Sequence, residues 1–227
     1  MWAVAIRQAQ QLGLGLEEDN PDESFCEQQI RRRLWWTLAI CEWLPVPHRV
    51  PCLHSIEFSC KLPDEVDDEE LETVTGSSRL LRSKPRPVRY HIAMAQVSKI
   101  YYQLRHVLRL QEWGTEDVAR FVFDADEQLA NLISDLPSYL HSDEKMTPDT
   151  EARDRQYPFI PWQKKSLAKV LLYYRMTISS QLQEHWLDGS TDGARTRAIC
   201  ISSARGLIHS TLTETVDASN CDPGQSP

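Results

Sequence analysis

Between Val88 and Leu110 the chain runs without a glycine or proline, and apolar side chains return every three or four positions through Ile92, Ala95, Ile100, Leu104, Val107 and Leu108. A stretch of that length holds about six helical turns, and its spacing places those side chains on one face. No run of period-two alternation and no repeat of fixed length competes with it. The chain is therefore expected to be all-α: an irregular multi-helix domain of about six helices with long connecting loops.

The remaining helices follow from the same spacing and from helix-end signals. Trp2 to Leu12 is rich in helix formers and is stopped by Gly13 and Gly15. Glu27 to Trp43 carries Ile30, Leu34, Leu38 and Cys41 three or four apart and reads as an amphipathic, aromatic helix. Thr115-Glu116-Asp117 supplies an N-cap and early acids for a helix through Val118, Phe121, Val122, Ala125, Leu129, Leu132 and Ile133, stopped by Leu136-Pro137. Pro161 opens another at the first-turn position that proline tolerates, running to about Leu187. Thr191-Asp192 caps the last, which carries Ala198, Ile201, Ala204, Leu207 and Ile208.

Between these helices, Pro45, Pro47 and Pro51 predict an irregular loop through Pro63 with a short extended piece at 55–58. Residues 73–87 mix Gly, Ser, Pro and Arg and read as a mobile internal linker, and 141–157 as a polar loop. The expected organisation is one domain over 1–216 and a disordered tail over 217–227.

Composition narrows the function classes. With 41% hydrophobic residues, seven Trp and seven Tyr, the 227-residue chain has the apolar surface for a folded core. A net charge of −8 opposes strong phosphate-backbone binding by the chain as a whole. The cysteines Cys26, Cys41, Cys52, Cys60, Cys200 and Cys221 form no CxxC pair, and no signal peptide precedes them, which points to a reducing compartment. No apolar run approaches the roughly 20 residues of a membrane span, so a soluble, intracellular protein with no membrane partner is expected.

Few residues invite chemistry. Arg31, Arg32 and Arg33 step by about 100° and cannot share one face, so they read as salt bridges with stems packed on aromatics, against the alternative of a phosphate contact. Of the adjacent Trp35 and Trp36, at least one is core, against the alternative of a ligand pocket. Cys52, His54 and Cys60, with His48 nearby, assemble into a zinc site only on paper, because the tight ligand pairs are missing. Asp67-Asp68-Glu69-Glu70 resembles the aspartate-rich magnesium motif of all-α terpene synthases, but Leu71 stands where that motif needs an acid. There is no GxSxG elbow, HExxH pair, P-loop or GxGxxG turn. No catalytic, cofactor-binding or metal-binding residue is assigned, and the chain is read as a non-enzyme.

Four stretches in order carry a resemblance. Ala5 to Leu14 has the pattern A-x-R-x-A-x-x-L-G-L; the second stretch is Arg31-Arg32-Arg33-Leu34-Trp35-Trp36-Thr37-Leu38; the third, Leu62 to Asp68, reads L-P-x-x-x-D-D. The fourth is diffuse, with an amphipathic helix and Leu-Pro over 129–140, Tyr173-Tyr174-Arg175, and Cys200 to Ala204 with Ser203 in place of an alanine. Together they resemble the regulatory middle homology region of fungal binuclear zinc-cluster transcription factors, over nearly the whole chain. The pattern departs at Glu42-Trp43, where that family usually has an Asp-Arg pair, and at His48-Arg49-Val50-Pro51, where it has a Gly-Arg-Pro turn.

The resemblance implies a nuclear transcription-regulatory domain that modulates RNA polymerase II transcription. It implies protein partners or self-association, intramolecular contacts and a possible small-molecule effector. The six-cysteine zinc-cluster head and the helices flanking the region do not occur in these residues, so zinc is expected only in that missing head, and DNA contact only through it or through a partner. The alternatives are a helical small-molecule enzyme of terpene-synthase type and a truncated gene product without independent activity.

Overall fold

The computed structural model describes residues 2–17, 22–45, 51–71 and 84–219. They are helical and contain no β-strand. Eight α-helices are present among them: α1 Trp2–Gln11, α2 Phe25–Trp43, α3 Asp68–Leu71, α4 Val88–Leu110, α5 Thr115–Ser134, α6 Pro148–Gln156, α7 Phe159–Ser179 and α8 Thr191–Ser219. Three 3₁₀ turns, Ser55–Glu57, Ser138–Leu140 and Ser180–His185, complete the order. The all-α expectation holds, with two short helices beyond the six expected.

Each difference has a local cause. Residues 141–157 are not wholly loop, because Thr147 and Thr150 form a reciprocal cap and Pro148 at the first position starts α6. The extended piece expected at 55–58 is a 3₁₀ turn followed by an extended Phe58. The helix expected to run from Pro161 to Leu187 starts at Phe159 and gives way after Ser179 to a 3₁₀ turn with a non-helical Leu182. Ser190 rather than Thr191 caps α8, its hydroxyl accepting from the Gly193 amide at 3.0 Å. Of the expected tail, residues 217–219 are helical and 220–227 lie outside the described residues, as do 73–83 of the expected linker, His48 and Cys221.

The chain divides into two compact units. The first, Met1–Gln103 with Asp135–Lys164, has a core of Ile6, Ala9, Trp35, Trp36, Ala39, Trp43, Leu53, Cys60, Ala95 and Tyr102. A Schellman turn ends its α1: the Leu14 amide bonds the Ala9 carbonyl and the Gly13 amide the Gln10 carbonyl, both at 3.0 Å. Gly13 takes φ +69° there, a region that costs other residues energy.

The 141–164 part of this unit is tied by Glu144, whose carboxylate accepts from both Nη atoms of Arg153 at 2.7 and 2.8 Å and from Lys164 Nζ at 2.6 Å. Arg153 chiefly, and Lys164 after it, hold the Glu144 carboxyl down at about 2 against the opposing effect of burial. A depressed folded pKa means that this stabilisation is complete above the unfolded value of roughly 4.3 and is lost as pH falls from there toward 2. The gap in urea midpoint between the chain and its Glu144→Gln variant is therefore expected to narrow from pH 7 to pH 3. A constant gap would show that the pair contributes nothing through charge.

The second unit, Leu104–Ser134 with Lys165–Pro227, is built on α5, most of α7 and α8. Ala119, Val122, Ala125, Leu129 and Leu132 of α5 are buried, largely the face its spacing marked. Leu167, Leu171, Tyr174 and Ile178 are the buried hydrophobic residues of α7 in this unit. Asp126, buried within α5, accepts from Arg175 Nε at 2.7 Å and Nη2 at 3.2 Å, so that its charge is compensated.

Candidate functional site

The motif-bearing segments of the first unit converge on α2. Ser24 and Glu27 form a capping box at its start, the Glu27 amide bonding the Ser24 hydroxyl at 3.2 Å and the Ser24 amide the Glu27 carboxylate at 2.9 Å. Of the aliphatic series that the sequence marks on α2, Leu38 packs partly buried against the core, but most of the inward face is a different one. Ile30 and Leu34 are 46% and 52% exposed and Cys41 is exposed, whereas Gln29, Arg32, Trp35, Trp36, Ala39, Glu42 and Trp43 are buried. Three indoles remove more apolar surface from water than two aliphatic side chains do, and they set the rotation of the helix.

The indoles gather around Phe58. Its ring lies 5.1 Å from Trp35, 5.8 Å from Trp36 and 5.9 Å from Trp43, and Trp43 stacks on Tyr102 at 4.3 Å and 21°. Trp36 Nε1 donates to the Lys61 carbonyl at 2.9 Å and Trp43 Nε1 to the Leu53 carbonyl at 3.0 Å, fastening the 51–62 segment over α2. Trp35 Nε1 is buried without a partner among the described residues. Both members of the Trp35-Trp36 pair are thus core. Gly15 closes the cluster: a Cβ there would fall 2.5 Å from the Trp35 ring, so only glycine fits.

The three arginines reach three different sets of acceptors. Arg31 grips Glu23 with Nε at 2.7 Å and Nη2 at 3.0 Å. Arg32, which is buried, pairs with Glu17 and donates from Nη1 to Asp64 at 3.1 Å. Arg33 bonds Asp68 and the Val66 carbonyl. Burial would raise the Glu17 carboxyl, but Arg32, the Lys61 amide and Arg31 together outweigh it and hold the group below its ordinary value.

Gln29 completes the lock on the Leu-Pro-Asp turn. Its side chain is fully buried, donating to the Asp64 carboxylate at 2.7 Å and accepting from the Asp64 amide at 2.8 Å. Neither Gln29 nor Glu17 was marked by the sequence, because a lone polar residue carries no periodic signal. Gln29 next to Arg32 on the tryptophan face was the available hint.

The acid run is committed in the same way. Asp67 pairs with Lys84 at 3.1 Å, Asp68 with Arg33, and Glu70 with Arg86 Nε at 3.1 Å while also capping the Asp67 amide at 3.0 Å. Arg86 first, then that amide, hold Glu70 below its ordinary value. The paper zinc set does not fit a metal: Cys52 is exposed, buried Cys60 turns Sγ to the Lys61 carbonyl at 3.5 Å, and His54 Nδ1 sits 3.2 Å from the Tyr102 hydroxyl. Burial pushes the Cys60 thiol up to about 12, away from the thiolate that a metal needs. Among the described residues no group of three His, Cys, Asp or Glu side chains could hold a metal ion. No helix among them is long and apolar enough to cross a membrane.

No protein-family model matches the chain. No solved structure matches it either. Two curated fungal proteins do. The chain is 24% identical over 225 aligned residues to a protein named probable transcription factor lepB of Aspergillus flavus, an alignment covering 91% of this chain and 39% of that protein. It is 23% identical over 133 residues to the agnestins biosynthesis cluster transcription factor AgnL11 of Paecilomyces divaricatus, covering 55% of this chain and 19% of that protein. The chain thus spans well under half the length of either relative, and its relatives are fungal proteins named as transcription factors.

Proposed function

We propose that the chain is a transcription-regulatory helical domain of the fungal zinc-cluster type, acting in the nucleus on RNA polymerase II transcription. It works in this reading through protein partners, self-association or intramolecular contacts, with a small-molecule effector as a further input. The observation that carries the reading is the similarity to a fungal transcription factor across 91% of the chain. The internal pairing of Arg31, Arg32 and Arg33 supports it, because those guanidinium groups are spent on Glu23, Glu17, Asp64 and Asp68 rather than held ready for phosphate. DNA contact and zinc both belong, in this proposal, to a zinc-cluster head outside these residues or to a partner that carries one.

The test is a fusion of the full chain to a heterologous DNA-binding domain, read on a reporter in fungal cells. Reporter transcription is expected to change several-fold relative to the DNA-binding domain alone, while the purified chain gives no sequence-specific gel shift. An unchanged reporter under a well-expressed nuclear fusion, or magnesium-dependent turnover of a prenyl diphosphate by the purified chain, would overturn the reading.

A further inference from the structure

Within the first unit, α2, the turn into α3, the start of α4 and the junction of α6 with α7 border an open cavity of about 630 Å³. That volume falls within the roughly 300–1,000 Å³ of small-molecule sites. Both resemblance-bearing segments around α2 supply walls to it, through Arg33 and Thr37 on one side and 66–68 on the other.

Its charges are largely cancelled in place. Arg33 is bound to Asp68 and Lys84 to Asp67, which leaves the exposed Glu69 as the remaining formal charge. Thr37 and Gln156 add uncharged polar groups, and the rest of the wall is apolar or aromatic, with Val88 buried and Tyr157 and Phe159 edge to face at 5.9 Å. A cavity so lined favours an uncharged, ring-bearing molecule over an ion, because an ion gives up its hydration without an opposite charge free to replace it.

His91 supplies direction. The Thr37 hydroxyl has one proton, and it is spent on the Arg33 carbonyl at 2.8 Å. The contact of 3.1 Å between Thr37 Oγ1 and His91 Nε2 therefore has the ring nitrogen as donor. Burial first, and Arg33 second, hold the imidazole below its ordinary pKa, so it is neutral near pH 7. In a neutral ring protonated at Nε2, the other nitrogen, Nδ1, is a bare acceptor, and no described residue donates to it.

We propose that this cavity binds a small uncharged hydroxylated aromatic molecule, whose hydroxyl donates to His91 Nδ1 and whose ring lies against Tyr157 and Phe159. That such a ligand acts as an effector of transcription rests on the function proposed above; that it binds does not.

The test uses the full chain with 2-naphthol as probe and 2-methoxynaphthalene, which lacks the donor, as its partner. Saturable binding of 2-naphthol is expected, about tenfold tighter than that of 2-methoxynaphthalene, the difference one hydrogen bond to a partly buried acceptor makes. His91→Phe keeps the ring volume and removes the acceptor, so the two probes are expected to bind it equally. Thr37→Trp places an indole in the cavity from an exposed position and is expected to abolish binding of both. The ¹⁵N signal of His91 Nδ1 is expected to shift upfield on addition of 2-naphthol. No saturable binding at millimolar probe, equal affinity of the unaltered chain for the two probes, or unchanged affinity in a folded Thr37→Trp variant would each overturn the proposal. A reporter that fails to respond in the fusion assay while naphthol still binds would count against the regulatory reading alone.

Discussion

Trp43→Ala is expected to cost about 3–5 kcal/mol of folding stability, the range for removing a large buried aromatic. Trp43 is 2% exposed, stacks on Tyr102 at 4.3 Å and leans on Phe58 at 5.9 Å. Its loss leaves a void and a Leu53 carbonyl without its donor, so a packing term and a hydrogen-bond term add. Against a typical stability of roughly 5–15 kcal/mol this is a large share. Trp162, 62% exposed with the Tyr90 ring 5.5 Å from its own, is the internal control and is expected to lose less than about 1 kcal/mol on the same change. Urea unfolding followed by circular dichroism measures both. Equal midpoints for the two variants would mean that the aromatic cluster is not the core of the first unit.

Arg32→Met should be nearly as damaging, about 3 kcal/mol, although methionine is apolar and fits a buried position. The side chains of Arg32 and Glu17 are 7% and 11% exposed, so removing the guanidinium leaves the carboxylate with the Lys61 amide and the more distant Arg31 alone to oppose the cost of burial. The double change Arg32→Met with Glu17→Gln removes the stranded charge. It is expected to recover more than about 1 kcal/mol relative to the sum of the single changes. Strict additivity would show that Arg32 matters through its stem alone and that the Glu17 contact carries no energy.

The two residues differ in how readable they were. Trp43 is a large apolar side chain inside a helical pattern, and its burial follows from area. Arg32 was one of three consecutive arginines with nothing local to separate them. Its burial depends on Glu17, 15 positions earlier, and Asp64, 32 positions later, being carried to α2 by the Gly13 turn and by the 51–62 segment. The same limit explains why Ile30, Leu34 and Cys41 of α2 face outward while Leu38 packs partly against the core. Ile30, Leu34, Leu38 and Cys41 satisfy helical spacing, and so do Arg32, Trp35, Ala39 and Trp43; spacing identifies a helix but does not choose between two stripes that both obey it.

The cavity beside His91 was out of reach for a related reason. Thr37, Val66, His91 and Phe159 come from four separate stretches of chain, and the state of the imidazole depends on a hydroxyl 54 residues away. No local pattern encodes such a meeting. The partners of the acid run, Arg33, Lys84 and Arg86, also come from distant stretches, and the Asp67 side chain that Lys84 holds is only 12% exposed.

What the sequence determined by itself was the class: helices with most of their limits, the absence of metal-ligand spacing, and ordered motifs that resemble those of fungal regulators. Helical periodicity and capping act over a few residues, so they are written locally. What only the tertiary structure decided was which face of α2 is core, which acid each arginine holds, and that two of the motif segments border one cavity. Those are contacts between residues far apart in the chain, chosen by the burial of Trp35, Trp36 and Trp43 against Phe58 and Tyr102, and the free energy of that burial is a property of the assembled core rather than of any segment within it.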